Sequence, residues 1–108
     1  LEAPARNRGG YPGGLAALSG WAAAVGSVVD GLYIAFDMDA LDAAGGWALT
    51  MPEPDGLSLP TALSAVRILA GAFEVVGFGA TAILIGRGGD PPRTTDAVAL
   101  LAEAALSR

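Results

Sequence analysis

The sequence predicts an α/β chain organised around a parallel sheet. Two short apolar runs, Leu32–Phe36 and Val75–Ile85, lack the alternation of a half-solvated strand and suit strands covered on both faces. Between them, and again after the second, apolar residues recur at three- and four-residue steps, as they do along one face of a helix. Strand, helix and strand at this spacing make a right-handed βαβ unit.

Taken in order, Leu1–Gly14 is rich in Pro, Gly and Arg and is expected to be a loop or entry segment, with residues 15–108 forming the folded portion. Leu15–Val29 is expected to be a helix of small residues, its inner face Leu15, Leu18, Ala22, Val25 and Val29. Asp42–Leu57 is Gly- and Pro-rich without a period and predicts a loop. Ser58 then suits an N-cap, Pro60 the first turn, and Leu59, Leu63, Val66 and Leu69/Ala70 the apolar stripe of a helix that Gly71 stops. After the second strand, Gly86–Arg93 is expected to be a loop. Thr94 or Thr95 would cap a last helix with Val98, Leu101, Ala105 and Leu106 inward, Asp96 near its positive end and Arg108 near its negative end. Two strands alone bury little and leave edges open, so the pattern predicts part of a larger α/β domain or a chain that pairs with another.

Composition narrows the chemistry. The 108 residues suffice for one small domain, and 53% are hydrophobic, enough for a core. The net charge of −5 argues against nucleic acid as a partner, because a phosphate backbone calls for a basic face. There is no cysteine, histidine or lysine. Disulfides, thiolate ligands and an imidazole base are therefore excluded, and any chemistry must run on carboxylates, backbone groups and arginine. Tyr11–Val29 carries no charge, yet Pro12 and four glycines interrupt it, so a membrane span is not expected there. No leader-like segment precedes it, from which a cytoplasmic location is expected.

The residues that carry chemistry are Asp37 and Asp39, at the C-terminal end of the first strand. Ligands of open α/β sheets bind just outside that edge. Residues i and i+2 of a strand share a face, so both carboxylates are expected to converge on one point. Two close carboxylates repel, a penalty that a divalent cation removes; all-oxygen ligation suits Mg or Mn. The same Asp-x-Asp also suits a solvated turn with Asp42 as an Asx-turn acid, and the pattern alone leaves both readings open.

Two families place such a pair at this edge. Ile34-Ala35-Phe36-Asp37-Met38-Asp39 resembles the first motif of haloacid-dehalogenase-like phosphatases. Ala40-Leu41 stand where that family has Gly-Thr, its lysine is missing, and Gly88-Gly89-Asp90 echoes its acidic third motif only faintly. A longer match is to the arginase/agmatinase (ureohydrolase) family. Its late signature has the form Ser-hydrophobic-Asp-hydrophobic-Asp-x-x-Asp-Pro, then a loop ending in Thr-Pro-x-x-Gly-Gly-Leu. Ala35-Phe36-Asp37-Met38-Asp39-Ala40-Leu41-Asp42-Ala43 and Met51-Pro52-Glu53-Pro54-Asp55-Gly56-Leu57 resemble its two halves without a gap. Val76-Gly77-Phe78-Gly79 resembles the start of the family's next strand, Val-Gly-Phe-Asp-x-x-Glu, and Asp90 with Thr94/Thr95 its entry to the last helix. The resemblance covers roughly Leu15–Arg108.

The resemblance implies a three-layer parallel-sheet arginase-like fold, of which this chain is the C-terminal βαβα part. It implies a manganese-dependent hydrolysis of linear amidine or guanidinium C–N bonds, with Asp37 and Asp39 as two metal ligands and a small guanidino compound as substrate. It also implies a homo-oligomer. The departures are in the chemistry. The family's histidine ligands are absent, Gly79 stands at the strand's Asp, and Ala82 replaces the Glu that meets the substrate guanidinium. Ala43 and Trp47 replace loop prolines, and Met51 replaces the Thr before Pro52. The chain alone is thus expected to be inactive. The alternative, from a different class, is a non-catalytic remnant that serves as an association module.

The remaining polar and aromatic residues carry bland expectations. Arg67 suits a solvated helix position and Arg93 a loop. Trp21 and Trp47 suit packing anchors, Glu53 and Asp55 loop solvation. Gly86-Arg87-Gly88-Gly89 lacks the spacing and the lysine of a phosphate loop.

Overall fold

The computed structural model describes residues 12–86 and 88–107, residues 12 and 13 by their backbone alone. The expectations for residues 1–11, Arg87 and Arg108 lie outside the described residues.

Helix α1 (Pro12–Gly26) leads to strand β1 (Leu32–Asp37); helix α2 (Leu59–Ala72) leads to strand β2 (Val75–Thr81); helix α3 (Pro91–Leu106) closes the chain. β1 and β2 pair in parallel, with Ile34 beside Phe78 and Phe36 beside Ala80. The register slips by one residue between Leu32 and Tyr33, which leaves Val76 as the extra residue of β2 and 69% exposed. α3 packs on β2 and α2 on α3, and both share a core with the strands, so these two helices cover one sheet face while α1 lies against α2. That face carries Leu32, Ile34, Phe36, Val75, Phe78 and Ala80, which join a core centred on Met38, Leu41, Val66, Ala97, Leu101 and Ala105. No helix among the described residues is long and apolar enough to cross a membrane.

The predicted order of elements is the observed one; the boundaries shift for local reasons. α1 begins at Pro12, inside the segment expected to be a loop, because proline at the first helical position loses no hydrogen bond. It ends at Gly26, so Val29 lies beyond it and is 42% exposed. Ser58 caps α2 as expected, accepting from Thr61 N at 3.3 Å, but Gly71 does not stop the helix, which closes at Phe73. Neither Thr94 nor Thr95 caps α3: Asp90 does, its carboxylate accepting from Arg93 N at 3.0 Å. With Pro91 and Pro92 in the first turn, the helix starts early and Thr94 turns into the core, fully buried. Leu106, expected inward, is 50% exposed in the last turn.

Candidate functional site

The site forms where β1 and β2 end together. β1 stops at Asp37, whose Oδ1 accepts from Asp39 N at 2.9 Å; this Asx turn starts a short 3-10 turn, Met38–Ala40. The Asp-x-Asp pair is therefore not two strand residues sharing one face, as the sequence suggested. Asp37 is exposed at the strand end, and Asp39 is half-buried one step around the turn. Met38 between them is wholly buried and pins the turn to the core.

The segment expected to be a plain loop is held by backbone pairing. Asp42 caps a second 3-10 turn, Ala43–Gly45, accepting from Ala44 N at 3.0 Å, which is the Asx-turn role foreseen for it. The two halves of the signature then zip together. Asp42 N donates to Leu57 O at 2.8 Å, Leu57 N to Ala40 O at 2.8 Å and Ala43 N to Glu53 O at 2.9 Å. Asp55 takes φ +64° where the family pattern places a glycine.

Residues 47–51 cross from α3 to the sheet edge. Trp47 is buried, as a packing anchor should be. Arg93 is not a loop ornament: from the first turn of α3 it lies 4.2 Å over the Trp47 ring and donates to the Gly45 carbonyl. The Thr94 hydroxyl accepts from Ala48 N at 2.8 Å and donates to Asp90 O at 2.7 Å. Leu49 pairs antiparallel with Ile83, Leu84 N donates to Ala48 O at 3.1 Å, and Thr50 N donates to Ala82 O at 3.0 Å. At the far end, Thr50 Oγ1 donates to Asp39 Oδ2 at 2.6 Å and Met51 N to Asp39 Oδ1 at 3.0 Å.

β2 ends at Thr81, short of the expected Ile85, because Ala82 turns to φ +70° and the chain leaves the sheet. Ala82 thus sits one hydrogen bond from Thr50, beside the aspartates, but offers only a methyl group. Gly79, at the other family acid position, faces the opposite sheet surface under the Tyr33 side chain; a Cβ there would collide with the Tyr33 hydroxyl. The space beside Gly79 is thus filled by Tyr33. Among the described residues no three His, Cys, Asp or Glu side chains gather as a metal would require. Asp90, the acid of the faint phosphatase echo, is occupied as a helix cap.

Comparison with known proteins supplies the lineage. A sequence profile described as "Arginase family" matches residues 14–83, well over half of the chain. The chain belongs to the arginase family. Among solved structures, arginase from Bacillus subtilis superposes with a TM-score of 0.74 at 19% identity, over 88% of this chain and 35% of that one. Agmatine ureohydrolase of Thermoplasma volcanium superposes with a TM-score of 0.64 at 25% identity, over 82% of this chain and 29% of that one. Formimidoylglutamase from Bacillus subtilis gives 0.65 at 26% identity, over 76% and 25%. These establish the arginase fold for this chain, which spans about a third of the length of the solved arginases. A search of curated proteins returned no match.

Within that family frame, sequence reasoning located Asp37 and Asp39 at the end of the first strand, and put Gly79 and Ala82 inside a second strand that stops before Ala82. It missed Thr50 and Tyr33, and gave Thr94 the part of a helix cap where the structure makes it the buried acceptor of Ala48 N–H. A threonine in a loop, such as Thr50, carries no periodic or motif signal, so its partner had to be seen in space.

Proposed function

We propose that this chain is the C-terminal portion of an arginase-type ureohydrolase domain and does not turn over substrate alone. The parent reaction is hydrolysis of a guanidinium or amidine C–N bond, releasing urea or a related amide. The observation that carries this reading is the signature held as one unit. Asp37 and Asp39 stand at the C-terminal end of a parallel strand, and the following loop is zipped to them from Ala40 to Leu57.

Manganese is the metal this reading implies. It would activate water for attack on the guanidinium carbon. Asp37 and Asp39 are what the chain would offer it in a completed domain. By themselves the residues here do not fit a two-metal centre. There are two carboxylates where two ions need several ligands each, there is no histidine in the sequence, and both Asp39 oxygens already accept hydrogen bonds. Nor is there an acid at position 82 for the guanidinium. The remaining ligands would have to come from further polypeptide. A small guanidino substrate, assembly into a homo-oligomer and a cytoplasmic setting belong to the same reading.

A urea-release assay with agmatine and with arginine, in the presence of Mn²⁺, tests it. No release by the 108-residue chain is the expected result. Turnover by this chain alone would show that the site is complete and the reading wrong.

A second reading, an association module, is favoured by the bare face of the sheet. Tyr33 is 61% exposed and Ala35 is exposed, whereas parallel sheets are generally covered on both faces. Sedimentation of the isolated chain tests the module: a species that stays monomeric at all concentrations counts against it.

A further inference from the structure

We propose that in this chain Asp39 is a clasp residue, whose carboxylate fork is held by Thr50 and Met51, so that bidentate metal coordination has to compete with both donors. The inference goes beyond the ureohydrolase reading and concerns what the aspartate does in the chain as it stands.

The geometry carries it. Thr50 Oγ1 reaches Oδ2 at 2.6 Å and Met51 N reaches Oδ1 at 3.0 Å, so two donors from adjacent residues engage the two oxygens together. Hydrogen bonds to an ionised acceptor are the shorter and stronger kind, and a cation chelated by both oxygens would have to compete with them. The donors are also fixed from behind. Thr50 N is held by Ala82 O at 3.0 Å, Leu84 N holds Ala48 O at 3.1 Å, and Ala48 N is held by the buried Thr94 hydroxyl at 2.8 Å. Asp39 itself is held by its own N–H on Asp37 Oδ1 at 2.9 Å. Thr50 thus links the turn after β1 to the residue after β2. It makes this link at the edge where an open α/β sheet ordinarily receives a ligand.

The test is amide exchange at Met51, read by NMR on the 108-residue chain without metal. Asp39→Ala should speed exchange at Met51 by about tenfold or more, since a hydrogen bond to a charged acceptor is lost. Thr50→Val should speed it by less, and Thr50→Ser, which keeps the hydroxyl, should restore the original rate. That pattern distinguishes the clasp from general loosening, which would speed exchange along β1 as well. Unchanged exchange at Met51 in Asp39→Ala overturns the proposal. So does selective broadening of the Asp37–Ala40 resonances by Mn²⁺ in the unmodified chain while Met51 stays protected, because the fork would then serve both. The exchange arm uses neither metal nor substrate, so its failure is distinguishable from failure of the ureohydrolase reading.

Discussion

Gly56 passes so close to Ala40 that a Cβ on Gly56 would stand 2.7 Å from the Ala40 carbonyl oxygen and 2.9 Å from Asp42 N. This contact explains why the residue before Leu57 is a glycine. The Leu57 N–H can donate to Ala40 O at 2.8 Å only if the residue before it has no side chain. Gly56→Ala should therefore part the two halves of the signature and lower stability by about 1–3 kcal/mol, as overpacking against fixed backbone does. Urea denaturation checks it; an unchanged midpoint would mean that the loop moves freely.

Ala82 holds φ +70° without glycine's freedom. A Cβ in this region costs about 1–2 kcal/mol, and a branched one costs more because its rotamers are confined. Ala82→Val is expected to destabilise clearly. Ala82→Gly should change stability little, its relief of strain being partly offset by the greater freedom of glycine in the unfolded chain. Thermal unfolding of the two variants side by side gives the order. Ala82→Glu, which puts back the family's acid, should still release no urea, because the metal ligands remain incomplete.

Thr94 is the buried polar side chain on which the 47–51 segment hangs. Thr94→Val keeps the shape and removes the acceptor of Ala48 N–H, a loss of about 1–3 kcal/mol for a buried donor left without a partner. Thr94→Ser should recover most of it. Equal stability of the Val variant and the parent would show that Ala48 N–H finds another acceptor.

The fold was legible because its signals are local. Apolar runs marked both strands, Ser58 with Pro60 marked a helix start, and the Asp-x-Asp with its loop marked the family. What escaped depended on contacts between distant segments. Nothing in the neighbours of Asp39 indicates that Thr50, eleven positions on, will take its carboxylate. The strand rule for residues i and i+2 failed at Asp37 and Asp39 because the Asp37 side chain competes for the backbone N–H two residues later and turns the chain. Pro91 and Pro92 moved the start of α3 ahead of the threonines expected to cap it. Arg93 looked like loop decoration until Trp47, far away in sequence, was found beneath it.

Calorimetric titration of the 108-residue chain with Mn²⁺, beside Asp37→Ala and Asp39→Ala, tests most directly whether a metal centre is complete within it. We expect no saturable heat up to millimolar metal in any of the three proteins. A saturable isotherm in the unmodified chain that vanishes in both variants would contradict an incomplete site and a clasped Asp39 fork together.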